Sequence, residues 1–460
     1  MSYDNILTTE QIIQSENNFI LSNPKKNIMD VASFFLWKKL SKKINSKSIL
    51  FICGPGNNGL DGIKIFNIAK KLNKKVELLR VGKKNIKLEK LKLTLHNCDI
   101  VIDCIFGIGL NRNISGIFKK VVNEINNSKK YIISIDIPSG INGDTGKVKG
   151  LSVVANETMV MGFFKPAHFL LPGKELSGKL SLVKIGLKLP KKRVPRIKHI
   201  SDEYVSKIMP KHSLNIHKYK KGSVIVYGGI MSGASRLVAL ASRKIGAGLS
   251  TIEIKKKYIN FYNYVEPGTI LSIKKNNIIN YSSLVVGPGL GKNYSKKKIL
   301  KILDNKIPAV IDADAISVFQ KSKKKFFELL NIRKNSILTP HLGEFKKIFH
   351  FNEEDKLSSC FKASKVVSSI VILKGNDTII SCPNGNIWIN SNAKNSLATA
   401  GSGDILSGLI SGLLAQKLSM EKASLASVWF HGKLSHDKNN VIVEDFLKSI
   451  PKVLNTLNNN

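Results

Sequence analysis

The segment LATAGSGDILSG, residues 397–408, carries the clearest chemical signal in the chain. Gly401 and Gly403 allow the backbone to approach a ligand closely, and the apolar residues that follow at helical spacing predict a helix beginning at these glycines. The free N–H groups of a helix start attract a phosphate or an oxyanion, and Asp404 lies among them. Its carboxylate could accept the proton of a hydroxyl beside a transferring phosphoryl group. Alternatively, Ser402 or Asp404 caps the helix.

Strand-like segments that end in loops occur along the whole chain. In the first half they are residues 48–54, 76–82, 99–107 and 131–140, with helices predicted over 9–21, 27–44, 62–72 and 117–126. In the second half they are residues 223–229, 283–289, 308–315, 336–341 and 369–375. Strands alternating with helices at these lengths predict parallel sheets with helices on both faces and ligands at the carboxyl ends of the strands.

At 460 residues the chain is long enough for more than one domain. A stretch rich in Pro and Lys between residues 184 and 217 is the best candidate linker, so we expect domains at residues 1–212 and 213–460. No internal repeat relates the two halves, which indicates two different α/β domains joined in one chain.

Composition predicts a globular protein, because 43% of the residues are hydrophobic. No apolar run approaches the roughly 20 residues that span a bilayer. The first residues lack the features of a signal peptide, so we expect a cytoplasmic protein without a membrane anchor. The five cysteines form no CxxC pair, which indicates buried free thiols instead of disulfides or zinc ligands.

The net charge of +41 suggests a nucleic-acid partner, since a strong positive field attracts phosphate backbones. The excess is almost all lysine, scattered through the chain together with abundant Asn and Ile, as an A+T-rich coding genome would produce. Arginine, which dominates specific base contacts, is scarce. We therefore expect no dedicated nucleic-acid binding.

Polar loops follow several strands in the first half. GPGNNGLDG spans residues 54–62, Asp103 ends a later strand, and Asp136 and Ser139 lie in the motif DIPSG. Because parallel strands bring their carboxyl ends to one edge of a sheet, the oxygens of Asn58, Asp103 and Ser139 could coordinate a monovalent cation. Asp136 could instead cap the turn that follows it.

These motifs, in this order, resemble the NAD(P)H-hydrate epimerase domain, whose fold is Rossmann-like. The resemblance implies a potassium ion held by Asn58, Asp103 and Ser139, and Asp136 as the acid/base at C6 of the damaged nicotinamide ring. The implied hydrate-binding residues are Asn57, Asn58, Gly59, Leu60, Asp61, Gly107, Ile108, Gly109, Leu110, Asn111, Arg112, Asn113 and Asp136. Leu60 replaces a glycine usual in the family and could crowd the loop, and residues 28–35 match poorly, so epimerase activity could be reduced.

Four further loops in the second half accompany the opening segment. They are the strand–glycine–helix segment 226–239, GPGLG at 287–291, TPHLGEF at 339–345 and LKGNDT at 373–378. Each of these loops alone could be an ordinary turn. A single histidine at such a position is often a turn or packing residue, and a KGND sequence is often a hairpin turn. Together they indicate a cleft for a nucleotide and a second substrate.

This set resembles the ADP- or ATP-dependent NAD(P)H-hydrate dehydratases, which have the ribokinase-like fold. Their reaction phosphorylates the hydrate hydroxyl and then eliminates phosphate, with Asp404 as the implied base and the amides of residues 401–403 as the implied anion hole. The implied hydrate contacts are Ala234, Gly289, His341 and Asp404. The implied nucleotide contacts are Lys374, Gly375, Asn376, Asp377, Thr378 and Gly403.

Two acidic residues in the second half have a less specific pattern. Asp312 and Asp314 could help hold Mg²⁺ against the nucleotide phosphates, or they could cap the helix that follows. We favour a structural role for both, with magnesium held mainly by the phosphates.

The sequence therefore predicts an α/β enzyme with an N-terminal Rossmann-like three-layer domain and a C-terminal ribokinase-like domain. It would repair NADH and NADPH hydrates, using K⁺ in the first site and Mg²⁺ with ADP or ATP in the second. We also expect a homo-oligomer. The alternatives are a kinase of a small hydroxylated metabolite, and a basic phosphate- or nucleic-acid-binding protein whose sites have decayed.

Overall fold

The computed structural model describes residues 5–44, 46–82, 87–191, 194–211, 217–435 and 441–458. Contacts divide the chain into two compact units, Asn5–Ile197 and Lys198–Asn460. This division falls inside the predicted linker but before the expected boundary after residue 212. The reason is local: His199 Nε2 hydrogen-bonds Ser391 Oγ at 2.9 Å and Asp202 accepts from Trp429 Nε1 at 2.8 Å, so both residues belong to the second unit.

The first unit is a parallel sheet covered by helices. Its helices are α1 Thr9–Ser22, α2 Ile28–Ile44, α3 Asn57–Lys71, α4 Leu88–Asn97, α5 Gly116–Asn127 and α6 Gly173–Leu176. Its strands are β1 Ile49–Cys53, β2 Val76–Arg80, β3 Ile100–Cys104, β4 Tyr131–Ile135, β5 Glu157–Met161 and β6 Lys179–Val183, in the spatial order β2-β1-β3-β4-β5-β6. The order reverses direction between β1 and β3, and such switch points are where open α/β sheets bind ligands.

Alternating side chains of the central strands feed two separate apolar clusters. Phe51 packs with α2 and α3 on one face of the sheet, whereas Leu50 and Ile52 pack with α4 and α5 on the other. The predicted three-layer arrangement is therefore confirmed. β5 and β6 were not predicted. α3 begins at Asn57 instead of residue 62, so six of the nine residues of the motif GPGNNGLDG belong to the start of a helix.

The second unit contains a larger mixed sheet. Its helices are α7 Asp202–Ile208, α8 Ser232–Lys244, α9 Lys296–Leu303, α10 Asp314–Ser317, α11 Lys323–Arg333, α12 Leu342–Ile348, α13 Lys356–Val366, α14 Ser402–Ala415, α15 Met420–Leu434 and α16 Val443–Asn458. The strands from the boundary onward are β7 Arg196–His199, β8 Ser223–Tyr227, β9 Leu249–Glu253, β10 Ile270–Ser272, β11 Ser283–Val286, β12 Ala309–Ile311, β13 Ser336–Leu338, β14 Ile370–Leu373, β15 Thr378–Ser381 and β16 Asn386–Asn390.

The sheet order of this unit is β10-β9-β8-β11-β12-β13-β14-β15-β16, continuing to β7, whose last two residues already belong to the unit. The strands from β10 to β14 are parallel, and β14, β15 and β16 are antiparallel. All five predicted strands are confirmed. Among the described residues of the chain, no helix combines the length and apolar character needed to cross a membrane.

Helix α14 is the central helix of the second unit. Every residue from Ile405 to Ala415 is buried, because the helix packs on β8, β11 and β12 and against α8 and α15. Its close approach to α8 depends on glycine: a Cβ on Gly408 would lie 2.5 Å from Val238 O, and one on Gly412 would lie 2.6 Å from Ser242 O. This contact fixes the position of the residues at the start of α14.

We expect Gly408→Ala to destabilise the second unit by about 1–3 kcal/mol, because the added methyl group forces α14 away from α8. Urea denaturation followed by the fluorescence of Trp388 and Trp429 measures this effect. The matched control is Gly233→Ala in α8, where a Cβ meets no atom within 4 Å. Equal stability of the two variants would contradict the prediction.

Candidate active sites

The three predicted cation ligands of the first unit meet around the backbone of Phe106. Asn58 Nδ2 donates to Phe106 O at 2.9 Å, and Ser139 Oγ accepts from Phe106 N at 2.8 Å. Asp103 is fully buried and accepts from Ser139 Oγ at 2.6 Å and from Ser134 Oγ at 2.8 Å. Burial raises the pKa of Asp103, although these hydrogen bonds oppose the rise.

One ligand atom in this group is unused. Asn58 Oδ1 is buried and has no hydrogen-bond partner within the described chain, although the amide nitrogen also donates to Ile135 O at 3.2 Å. An unsatisfied buried carbonyl oxygen beside main-chain oxygens fits a hard monovalent cation. Asp103 and Ser139 are hydrogen-bonded to each other, so these two side chains hold the ends of β3 and β4 together.

Asp136 follows β4 and occupies a left-handed backbone conformation, with φ of 67°. Its Oδ1 accepts from Met161 N at 3.0 Å and forms an ion pair with Lys165, whose side chain is 1% exposed. Sequence reasoning missed Lys165. The only signal was a lysine within the largely apolar segment FFKPAHF, residues 163–169.

Two more carboxylates lie in the electrostatic field of Asp136. Burial raises the pKa of Asp61 to about 7, and the charges of Asp136 and Glu16 add to this rise. Burial, followed by Asp136, also raises the pKa of Glu16, while Lys165 lowers it. Asp61 Oδ1 is buried without a hydrogen-bond partner in the described chain. The site thus collects several acidic groups that act on one another electrostatically.

The remaining predicted hydrate-binding residues differ in exposure. Leu60 has 42% of its surface exposed, so its side chain points out of the loop instead of crowding it. Gly59 is required where it stands, because a Cβ would lie 2.0 Å from Gly54 O. Leu110 is buried in an apolar cluster, which makes it a packing residue. The exposed members of the set are Asn57, Gly109, Asn111, Arg112 and Asn113, and those of intermediate exposure are Gly107 and Ile108.

In the second unit, the residue that caps α14 is Gly401, in the left-handed conformation with φ of 86°. No side chain caps this helix: Ser402 Oγ donates to Leu397 O at 2.8 Å, so the capping alternative for Ser402 and Asp404 is excluded. The predicted anion hole has fewer available amides than expected. Ser402 N–H donates to Thr399 O at 3.3 Å, whereas the Gly401 and Gly403 amides have no hydrogen-bond acceptor among the described residues.

A cavity of about 430 Å³ lies at the start of α14. Most of the predicted second-site residues line it, namely His341, Lys374, Gly375, Asn376, Thr378, Gly403 and Asp404. Three predicted residues do not. Asp377 is buried in an ion pair with Lys356, and Ala234 and Gly289 pack against each other, since a Cβ on Gly289 would lie 3.0 Å from Ala234 Cβ.

Lys374 is the main cation of this cavity. Its Nζ donates to Asp312 Oδ1 at 2.8 Å and lies 4.0 Å from Glu344 Oε2. Burial alone would lower the pKa of Lys374, but Asp312, Glu344 and Asp404 raise it overall. Asp312 also accepts from Ser407 Oγ at 2.8 Å, so this carboxylate holds Lys374 against the first turns of α14.

Two residues near the cavity also hold its loops in place. His341 caps the start of α12, with Nδ1 accepting from Gly343 N at 3.0 Å, while Glu344 accepts from His341 N at 3.0 Å. Asp314 accepts from Gly291 N at 2.8 Å. The favoured structural role of Asp314 therefore agrees with its contacts.

Asp404 faces the same cavity. Burial raises its pKa to about 7, the nearby charge of Asp312 adds to the rise, and Lys374 opposes it. A carboxylate of this pKa can accept a proton near neutral pH.

His431 also lines the cavity and was not predicted. Burial lowers its pKa to about 4, and its Nε2 has no hydrogen-bond partner within the described part of the chain.

The second unit is an α/β unit of ribokinase-like architecture with a polar cavity at the start of α14, and the first unit is Rossmann-like. A ribokinase-like protein from Enterococcus faecalis has the same fold, with a TM-score of 0.51 and 22% identity over 57% of this chain and 96% of that chain. Residues 224–449 match the NAD(P)H-hydrate dehydratase family, and residues 69–167 match the YjeF-related protein N-terminus.

Whole-chain relatives extend this match. The bifunctional NAD(P)H-hydrate repair enzyme of Dictyoglomus turgidum is 31% identical over 93% of this chain and 92% of its own length. That of Synechocystis is 28% identical over 83% of this chain and 80% of its own length. The chain belongs to the family of bifunctional NAD(P)H-hydrate repair enzymes. This membership confirms the predicted enzyme class with its epimerase and dehydratase halves, and it does not favour the alternatives.

Replacing Asp404 with Asn should make stability less dependent on pH. Between its ordinary pKa of 3.8 and its folded value of about 7, the folded state keeps a proton that the unfolded state has lost, so wild-type stability falls as pH rises through this window. The melting temperature of the variant should therefore exceed that of the wild type by more at about pH 8 than at about pH 5. Glu328→Gln, at an exposed carboxylate, is the control; a pH-independent difference for Asp404→Asn would refute the assignment.

Proposed function

We propose that the second unit transfers a phosphoryl group from ADP or ATP to the hydroxyl of the hydrated nicotinamide cofactor, and that elimination of phosphate then restores NADH or NADPH. The observation that carries this proposal is Asp404, a carboxylate with a pKa of about 7 at the start of α14, in the cavity that Lys374 also lines. Asp404 accepts the hydroxyl proton as the oxygen attacks phosphorus.

The loop between β14 and β15 is the proposed nucleotide site. Lys374, Gly375, Asn376 and Thr378 line the cavity, and Lys374 is near enough to Gly403 that a Cβ there would lie 3.2 Å from its Nζ. The ammonium therefore lies beside the main chain of Gly403, where both groups can stabilise the charge of a transferring phosphoryl group. Asp377 contributes through the shape of this hairpin turn.

The hydrate is proposed to bind beside Asp404, with His341 on the opposite loop and with Ala234 and Gly289 shaping the approach from α8 and β11. Magnesium would supply positive charge against the nucleotide phosphates. Within the described chain no group of three or more His, Cys, Asp or Glu residues could hold a metal ion, and Asp312 is already bonded to Lys374 and Ser407. Magnesium is therefore expected to arrive with the nucleotide.

The first unit is proposed to interconvert the R and S hydrates. Asp136 acts as the acid/base at C6, and the hydrate lies along the loop that starts α3 and the loop that follows β3. We assign this activity to residues up to Ile197 and the dehydratase activity to residues from Lys198. Epimerisation supplies the S hydrate, which the second unit consumes.

Three further expectations stay predictions: that the protein acts in the cytoplasm, that it has no nucleic-acid partner, and that it is a homo-oligomer.

A single assay tests this function. Mixed R and S hydrates of NADH and of NADPH are incubated with ADP and, separately, with ATP, and the return of nicotinamide absorbance is followed. Complete recovery is expected with at least one nucleotide, and Asp404→Asn should slow recovery by about 10²–10⁴-fold because general-base catalysis is lost. The variant should still bind the nucleotide and still interconvert the epimers. No recovery by the wild type would reject the proposal.

Epimerisation should require potassium if Asn58 helps hold it. Replacing K⁺ with tetramethylammonium should slow epimerisation and lower the melting temperature of the first unit, because Asn58 Oδ1 loses its only partner. Asn58→Ala should abolish both responses to K⁺. The exposed neighbour Asn57→Ala should leave the thermal response intact. A wild-type protein that responds equally to K⁺ and tetramethylammonium would argue against the ion.

A further inference from the structure

Lys165 is a buried cation that the proposed reaction has not used. Its side chain is 1% exposed, and its Nζ contacts Asp136 Oδ1 and donates to Met161 O at 3.0 Å. Removing an ammonium group from water is costly unless it is paired. Lys165 is paired with the proposed acid/base itself. Burying a charged side chain there would be unnecessarily costly if Lys165 served only to fill space.

The contacts of this lysine fix one oxygen of Asp136. Met161 N–H and Lys165 Nζ both reach Oδ1. Oδ2 has no donor among the described residues, so it is the oxygen that a substrate can use. The backbone is fixed as well: Asp136 N donates to Met159 O at 2.8 Å, and φ of 67° is strained for a residue with a side chain.

A buried histidine connects the two partners. His168 Nδ1 accepts from Lys165 N at 3.0 Å, which leaves the ring proton on Nε2, where it donates to Asp136 O at 3.0 Å. Burial, followed by the charge of Lys165, lowers the pKa of His168 to about 3, so the ring is neutral. The backbone segments that carry Lys165 and Asp136 are therefore held together independently of their ion pair.

The carboxylates around Asp136 explain why a buried cation is needed beside it. Asp61 from α3 and Glu16 from α1 act on Asp136 with the same negative charge, while His168 is neutral. Three carboxylates that act on one another repel, which makes the burial of Asp136 more costly. Lys165 is the buried positive charge that offsets this repulsion.

We propose that Lys165 is a positioning residue of the epimerase site, which compensates the negative charge of Asp136 and directs Oδ2 towards the hydrate. The inference rests on the proposed epimerase function. The segment after β5 then supplies a cation to the site, which the loops after β1, β3 and β4 do not supply.

The test uses the full-length protein with three variants. Lys165→Met removes the charge with little change in volume, and Lys165→Arg keeps it. Lys43→Met removes the cation of a partly exposed pair in this unit, Lys43 with Glu157. Epimerisation is measured over a pH series. Dehydration of pure S hydrate by the same molecules reports whether the chain is folded and active.

We expect Lys165→Met to lower kcat for epimerisation by about 10²-fold or more with KM changed only a few fold, since base catalysis is worth about that much. The acidic limb of its pH profile should move to higher pH, because the charges that then face Asp136 are those of Asp61 and Glu16. Lys165→Arg should recover part of the rate. Lys43→Met should stay within about threefold of wild type, as the loss of a partly exposed pair costs mainly stability.

A double variant separates a positioning role from a structural one. Asp136→Asn and Asp136→Asn/Lys165→Met should be equally slow if Lys165 acts through Asp136, and the neutral pair avoids an unpaired buried charge should Lys165→Met fail to fold. Wild-type kcat and pH profile in Lys165→Met, a further loss in the double variant, or an equal loss in Lys43→Met would overturn the inference. A wild-type protein that does not interconvert the epimers would instead reject the proposed function.

Discussion

The close contact between α14 and α8 sets the geometry of the second unit. Gly408 and Gly412 let the two helix backbones approach where any side chain would collide with main-chain atoms. Because α14 is buried along its length, its axis cannot shift without disturbing the sheet beneath it. The first turn, with Asp404, is therefore held at the carboxyl ends of β12 and β14, and the start of α8 is held beside the loop after β11.

Each site contains a lysine that forms an ion pair with a buried carboxylate, but only in the first unit is that carboxylate the proposed acid/base. In the second unit Lys374 bonds directly to Asp312, and its influence reaches Asp404 only from a distance, so burial keeps the pKa of Asp404 at about 7. In the first unit Lys165 bonds directly to Asp136. In the second unit the proposed base is a carboxylate with a raised pKa, and in the first unit the proposed acid/base has an ammonium group bonded to one of its oxygens.

Sequence reasoning found the groups whose chemistry is encoded locally. His341 and Lys374 lie in loops that directly follow strands, and Asp404 lies in the glycine-rich first turn of α14. A parallel sheet brings the loops after its strands together, so these residues could be found without knowing the strand order. Lys165 was missed because its role exists only once β5 lies beside β4, and no pattern within residues 157–168 reveals that pairing. The first turn of α3 was also missed. Gly59 lies in this turn because a Cβ there would collide with Gly54 O.

Every group assigned to either reaction lies inside one unit, and each unit has its own apolar core. Neither site borrows a residue from the other half, so architecture alone does not require them to share a chain. What the shared chain does guarantee is stoichiometry. At any level of expression the cell makes one epimerase site for each dehydratase site, so the balance between supply and use of the S hydrate is set by the two turnover numbers and is insensitive to gene dosage.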